Sequence, residues 1–359
     1  MGPVPEAYYS PQELADFGAR VRRWQWARRN EVGLEVQFCS SMDGRGNNLA
    51  GPTKEQIYGT CKQLRNQGHE LALHLSSWLI DLFRPNKETE EPIINPNEFF
   101  DEFNFNYIIG HFKAHENIWS ALSYRNESYN LRGVPLEERF ARRICLENGY
   151  KRENNITELA IALSEKNVGV PIKAGVCFDI GHLLRSFYDF AWSTDMKRPV
   201  YHDSAWRYAR RGEEIDMLQS RVTELSGQLD KSKSNFEEER IKKDVLRHFS
   251  QPKKVGRETY YLNAGRLADC GKRIRWLHAH SLCRIGTSTI AGKHIPRVAD
   301  HYPILYSLRY PTPLQNMILT EVIRNAPQLG GLAVEHLKEF NTERWLGMSF
   351  KYARRLLPS

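Results

Sequence analysis

Short apolar runs ending on a histidine or a carboxylate recur along the chain. They are Leu71-Ala-Leu-His74, Tyr107-Ile-Ile-Gly-His111, Arg143-Ile-Cys-Leu-Glu147, Gly175-Val-Cys-Phe-Asp179, Ile274-Arg-Trp-Leu-His278-Ala-His280 and Leu332-Ala-Val-Glu335. Runs of this length, continuous rather than alternating, read as strands buried on both faces of a parallel sheet. Gly33 to Phe38 reads as a further strand, and helical patterns fall between the runs. Thr53-Lys-Glu-Gln56 is a capping box that opens a helix ending near Gly68, and Thr157 to Leu163 carries another helix. The endings return every ~30–40 residues, the size of a βαβ unit. This rhythm predicts an α/β protein, a (β/α)8 TIM barrel over residues 33–359. A doubly wound sheet fits less well, because no Gly-rich phosphate fingerprint follows the first strand. No nucleotide-type cofactor site is therefore expected.

Two stretches depart from the rhythm. Ser10-Pro11-Gln-Glu13 starts a helix with Leu14, Phe17, Val21 and Trp24 on one face, so residues 1–32 are expected to be a helical extension packed on the body. The interval between Asp179 and His280 is roughly three units long, which places an insertion at 192–272. In it, Ile215, Leu218, Val222, Leu225 and Leu229 form a short heptad seam among charged residues. The insertion is expected to be helical, with 213–249 available to a second helix, a second copy or a protein partner. The loop after His280 holds Gly286, Gly292, His294, Asp300 and His301, and the last strand of the barrel must come from Pro303–Leu308 or from the first 32 residues.

Composition narrows the class. The chain has 359 residues, 41% hydrophobic, with eight Trp, enough to bury a large core. No segment has the ~18 uninterrupted apolar residues of a membrane span, and the start lacks the basic and apolar regions of a signal peptide. A cytoplasmic location and no membrane partner are expected. Cys39, Cys61, Cys145, Cys177, Cys270 and Cys283 contain no CxxC pair, which suits reduced thiols rather than disulfides or a thiolate cluster. Lys and Arg outnumber Asp and Glu by 51 to 43, a net charge of +8. That balance favours a polyanionic partner such as nucleic acid.

The chemistry lies in the endings. A carboxylate closing an apolar strand is partly desolvated, and an unpaired buried charge is expensive, so positive charge must lie near it. Imidazoles and carboxylates meeting at one face of a barrel make a site for zinc, manganese or iron. The candidates are His74, His111, Glu147, Asp179, His182, His280 and Glu335, with His278 competing with His280 and His115 with His111.

On these residues the chain resembles the xylose isomerase-like barrel superfamily, and within it the apurinic/apyrimidinic endonucleases of the endonuclease IV type. Gly175-Val-Cys-Phe-Asp179-Ile-Gly-His182 is similar to that family's Val-Cys-Leu-Asp-Thr-Cys-His segment, whose Asp and His are metal ligands. Cys145-Leu-Glu147-Asn148 is similar to its strand ending in a bridging glutamate, and His74 with Trp78-Leu-Ile-Asp-Leu82 to its ligand histidine before an aromatic-Leu-Ile-Asn-Leu stretch. His111 and Glu335 fall where further ligands would stand. The family's Pro-Gly-Ser loop after His111 is missing, and so is its Asp-x-His pair, for which His294, Asp300 and His301 are the nearest substitutes.

The resemblance implies two or three divalent metals, with zinc expected and manganese or iron as alternatives. His74, His111 and Glu147 would hold one ion, and Glu147, Asp179, His280 and Glu335 a second, with Glu147 bridging. His182 would bind a third ion or a phosphate oxygen. Glu147, Glu335 and His182 would carry catalysis of phosphodiester hydrolysis in abasic or damaged DNA. Arg45, Arg185 and Trp78 are candidates to grip the duplex. The alternatives are a one-metal sugar isomerase or epimerase on the same carboxylates, an iron enzyme of oxidative chemistry, and a binding module without activity.

Overall fold

The structure is a computed structural model that describes residues 3–28, 32–38, 51–111, 122–125, 128–131, 133–149, 159, 174–182, 253–255, 258–260, 271–290, 293–303, 319, 322–336 and 340–356. Numbered along the chain, the strands are β1 (Pro3–Tyr9), β2 (Leu34–Phe38), β3 (Leu71–His74), β4 (Ile108–His111), β5 (Leu122–Arg125), β6 (Ser128–Leu131), β7 (Val134–Leu136), β8 (Ile144–Glu147), β9 (Gly175–Asp179), β10 (Lys253–Val255), β11 (Glu258–Tyr260), β12 (Ile274–Ala279), β13 (Ser281–Ile290), β14 (Lys293–Tyr302) and β15 (Gly331–Val334). Around the barrel the order is β1, β2, β3, β4, β8, β9, β12, β15, and neighbouring strands are parallel throughout. The fold is an α/β barrel of the TIM type. Strands β5 to β7 form a small antiparallel sheet, β10 and β11 a ribbon, and β13 and β14 a long hairpin.

The helices follow their capping signals. In α1 (Pro11–Arg23) the Glu13 carboxylate accepts from both the backbone N–H and the hydroxyl of Ser10, at 3.3 and 3.0 Å. In α3 (Lys54–Asn66) Thr53 and Gln56 cap each other reciprocally. The chain leaves α3 through Gly68 at φ +82°, a left-handed conformation that glycine adopts without a Cβ penalty. Leu14, Phe17 and Val21 of α1 and Ile57, Cys61 and Leu64 of α3 are buried in the layer between helices and sheet. Helix α2 (Gln25–Arg28) follows α1, while α4 (Ser77–Leu82), α5 (Pro96–Phe103) and α6 (Glu138–Ala141) belong to the next units. Helix α5 and the segment after it carry Phe99, Phe100, Phe103 and Phe105 into the same core.

Two expectations need amendment. The first 32 residues are more than a helical extension, because β1 pairs in parallel with both β15 and β2. Its sequence, Pro-Val-Pro-Glu-Ala-Tyr-Tyr, has no apolar run and two prolines, so it does not look like a central strand. The stretch after His280 is a hairpin and not a loop. Gly286 lies where the register of β13 and β14 shifts, a position that glycine takes at a bulge.

In the 192–272 stretch, the described residues before 271 are the ribbon β10–β11. The seam at 213–249, the helix from Thr157 apart from Leu159, and Ile304 to Leu308 lie outside the described residues. Among the described residues, no helix is long and apolar enough to cross a membrane.

Alternation along each strand sorts residues into two populations. Leu71, Leu73, Ile144, Leu146, Val176, Phe178, Leu277, Leu332 and Val334 face the helices. Ala72, Ile109, Cys145, Cys177, Trp276 and Ala333 fill the interior as a separate apolar layer. Trp276 is fully buried, and Tyr107 packs on it with ring centroids 4.7 Å apart. Glycines at 330 and 331 make room, since a Cβ at either would overlap Tyr107 or Trp276 respectively. Two residues further along β3, β8, β9, β12 and β15, the inward positions become His74, Glu147, Asp179, His278 and Glu335. The apolar layer is thus the floor of a cup at the C-terminal end of the strands, where TIM-type barrels carry their sites.

Candidate metal centre

Glu147, at the end of β8, is buried at the middle of the cup. Its Oε2 lies 3.1 Å from His74 Nε2 and 3.2 Å from His111 Nδ1. Its Oε1 lies 3.3 Å from His278 Nδ1 and 3.4 Å from His182 Nδ1. Each carboxylate oxygen therefore faces imidazoles of its own. His111 sits at the rim, its side chain 43% exposed, while His74, His278 and Glu147 lie below it.

Asp179 is held by its neighbour strand. The Asn148 side chain accepts from the Asp179 N–H at 2.8 Å and donates to its carbonyl at 3.1 Å. The Asp179 carboxylate caps the turn that follows, accepting from the His182 N–H at 2.6 Å. It also lies 3.0 Å from His280 Nε2 and 3.7 Å from His278 Nδ1. Gly181 is obligatory in this turn, because a Cβ there would overlap the His280 ring. Glu335 follows β15 and reaches His280, His278 and His301, the last at 2.6 Å from its Oε1. His301, with φ +61°, stacks on His280 at 4.6 Å.

The electrostatics match. Burial by itself would raise the Glu147 carboxyl, but His111, His278 and His74 outweigh it and hold the group well below the usual carboxylate range. Asp179 is likewise lowered against burial by His182 and His280. Both are ionised at neutral pH.

The structure brings His74, His111, Glu147, Asp179, His182, His280 and Glu335 together, and adds Glu35, His278 and His301. Ligand atoms of these residues fall within 4.8 Å of one another in five groups: Glu35, His74 and His278; His74, His111 and Glu147; His280, His301 and Glu335; Glu147, Asp179 and His182; Asp179, His278 and Glu335. Such groups can hold metal ions. A cation bound there would also give a partner to Glu147 Oε2, which is buried and has no hydrogen-bond partner among the described residues although two imidazole nitrogens approach it.

Glu35 is the residue that the sequence pattern did not single out. Its signal was available, as an acid flanked by Leu34 and Val36 in a strand buried throughout, but it lies inside the run and not at its end. Trp78 is on α4 just past His74, partly exposed, with its indole N–H bonded to the Pro52 carbonyl. Arg45, Arg185 and His115 lie outside the described residues, as do the side chains of His294 and Asp300.

A scan of protein-family models finds no match to the chain, and a search of curated proteins finds none. Among solved structures, one described as "The crystal structure of AsfvAP:AG" is similar over 100% of each chain, at 12% identity and a TM-score of 0.44. A likeness that distant specifies neither a family nor a function.

Proposed function

We propose that the chain is a metal-dependent hydrolase of phosphodiester bonds, of the endonuclease IV kind, acting on DNA at abasic or damaged positions. The observation that carries this reading is Glu147, whose two oxygens face separate sets of imidazoles. A one-metal sugar isomerase requires only one such set. His74, His111 and Glu147 would hold one ion; Glu147, Asp179 and Glu335, with a histidine of β12, would hold another. Bound divalent cations, with zinc well suited to this donor set, supply electrophilic stabilisation to a phosphate undergoing in-line displacement.

The residues of the chain do the rest. Glu147 keeps the two halves of the centre in a fixed relation, and the Asn148 amide fixes the end of β9 so that Asp179 stays aimed inward. His182, oriented by the Asn148 carbonyl 2.9 Å from its Nδ1, would contact a phosphate oxygen. His111 marks the accessible side of the cup, and the exposed face of Trp78 is suited to stacking beside a gap in a duplex. The net charge of +8 favours a phosphate backbone.

The test is a duplex carrying one abasic site, incubated with zinc-loaded or manganese-loaded protein. Metal-dependent incision at the abasic position, lost in Glu147→Gln, is the expected result. Failure to cut, combined with isomerisation of an aldose by the same preparation, would overturn the proposal in favour of the sugar enzyme.

A further inference from the structure

Glu35 sits under the centre and not in it. Its register partner on β3 is Ala72 of the floor, two residues before His74, and it is fully buried. Among the described residues, its side-chain oxygens meet three ring nitrogens. Oε1 lies 2.9 Å from His278 Nε2 and 3.2 Å from His74 Nδ1, while Oε2 accepts the Trp276 indole N–H at 2.6 Å. Indole nitrogen only donates and a carboxylate only accepts, so the Trp276 bond anchors the group in one orientation. The opposite nitrogens of the two histidines, His74 Nε2 and His278 Nδ1, face Glu147 at 3.1 and 3.3 Å, one on each of its oxygens.

We propose that Glu35 is a positioning residue that sets the tautomers of two metal ligands at once, one on each side of Glu147. This rests on reading the cup as a metal centre. A single Glu35 oxygen takes the ring N–H of both histidines, so His74 presents its lone pair from Nε2 and His278 from Nδ1. His280 is set the other way. The His301 backbone N–H donates to His280 Nδ1 at 3.0 Å, which puts the ring proton on Nε2, aimed at Asp179. A neutral imidazole has one lone pair, so His278 on β12, and not His280 just past the strand, is the ligand. Using Glu35, His74 and His278 as a metal site in their own right would turn both ring protons onto Glu147, so neither histidine could share a cation with it. Because one carboxylate serves both halves, its loss weakens both halves together.

The experiment uses the full chain loaded with zinc and labelled in its histidine rings. Ring nitrogen NMR should find His74 bound through Nε2 with its proton on Nδ1, and His278 bound through Nδ1 with its proton on Nε2. In Glu35→Gln, chelator competition should show zinc binding weakened by about 10–100-fold at both positions, with both ring N–H resonances displaced. Metal on His74 Nδ1 or His278 Nε2 would overturn the proposal, as would unchanged affinity in the variant. If Glu35→Gln does not fold, the wild-type spectrum decides alone. A wild-type chain that takes up no zinc would sink the metal-centre reading and this role with it, whereas zinc held through the wrong ring nitrogens would sink only the role of Glu35.

Discussion

Two layers of the same barrel interior, one pleat apart, have opposite chemistry. The floor is apolar and mostly small (Ala72, Cys145, Cys177, Ala333), with Ile109 and above all Trp276 filling the volume that the small residues leave. The layer above is imidazole and carboxylate, on the same strands two positions later. Since the strands fix the backbone of both, only side-chain chemistry differs, and each layer can be altered while the other serves as its control. The floor contributes stability by close packing. The upper layer concentrates charge that is tolerable only because acids and imidazoles are interleaved and able to share cations. Glu35 and Trp276 form the seam, an acid and a donor placed at floor level.

The largest effect is expected from Glu147→Gln. Its neutral amide cannot serve two sets of imidazoles as a carboxylate does, so incision should be abolished and the rise in melting temperature on adding zinc should vanish. Circular dichroism should still report a folded barrel. Next comes Trp276→Ala, which should lose about 3–5 kcal/mol in denaturant unfolding through the cavity it leaves, with Glu35 deprived of a donor as well. Gly331→Ala should cost about 1–3 kcal/mol, since its methyl overlaps the Trp276 ring, and should keep the zinc-induced stabilisation.

A pH titration separates the layers without mutation. Opposed by its own burial, Glu35 is nevertheless lowered from 4.5 to about 2 by His278 and His74. A carboxyl lowered in the fold contributes stability that is complete above its unfolded value and is lost as pH falls. The metal-free protein should therefore lose melting temperature between about pH 4.5 and 2. Burial pushes the Cys145 thiol up to about 12, so this floor residue stays neutral across that range. Cys145→Ala should show the smallest change, about 1 kcal/mol in stability, with the acid limb and zinc binding intact.

Much of this arrangement was legible in the sequence. The apolar runs with acidic or imidazole ends carried both the barrel and most of the cup, because a strand buried on both faces is written continuously and its site residue comes last. β1 escaped because Pro3 and Pro5 and the polar Glu6 break any apolar run, although the backbone still pairs on both sides. Glu35 escaped because it lies within its strand, at the depth where other strands carry alanine or cysteine. His301 was one of several candidates in its stretch; the hairpin and the left-handed φ at His301 bring its ring onto His280 and Glu335. Spacing cannot convey that. Between His278 and His280, the proposed choice rests on hydrogen bonds from distant chain segments, Glu35 and the His301 backbone.

The most direct measurement is the metal content of the chain, purified without chelator, by elemental analysis beside Glu147→Gln. Two or more divalent ions per wild-type chain, lost in the variant while the fold persists, is the predicted result. No bound metal in the wild type, even after reloading with zinc, manganese or iron, would contradict the account.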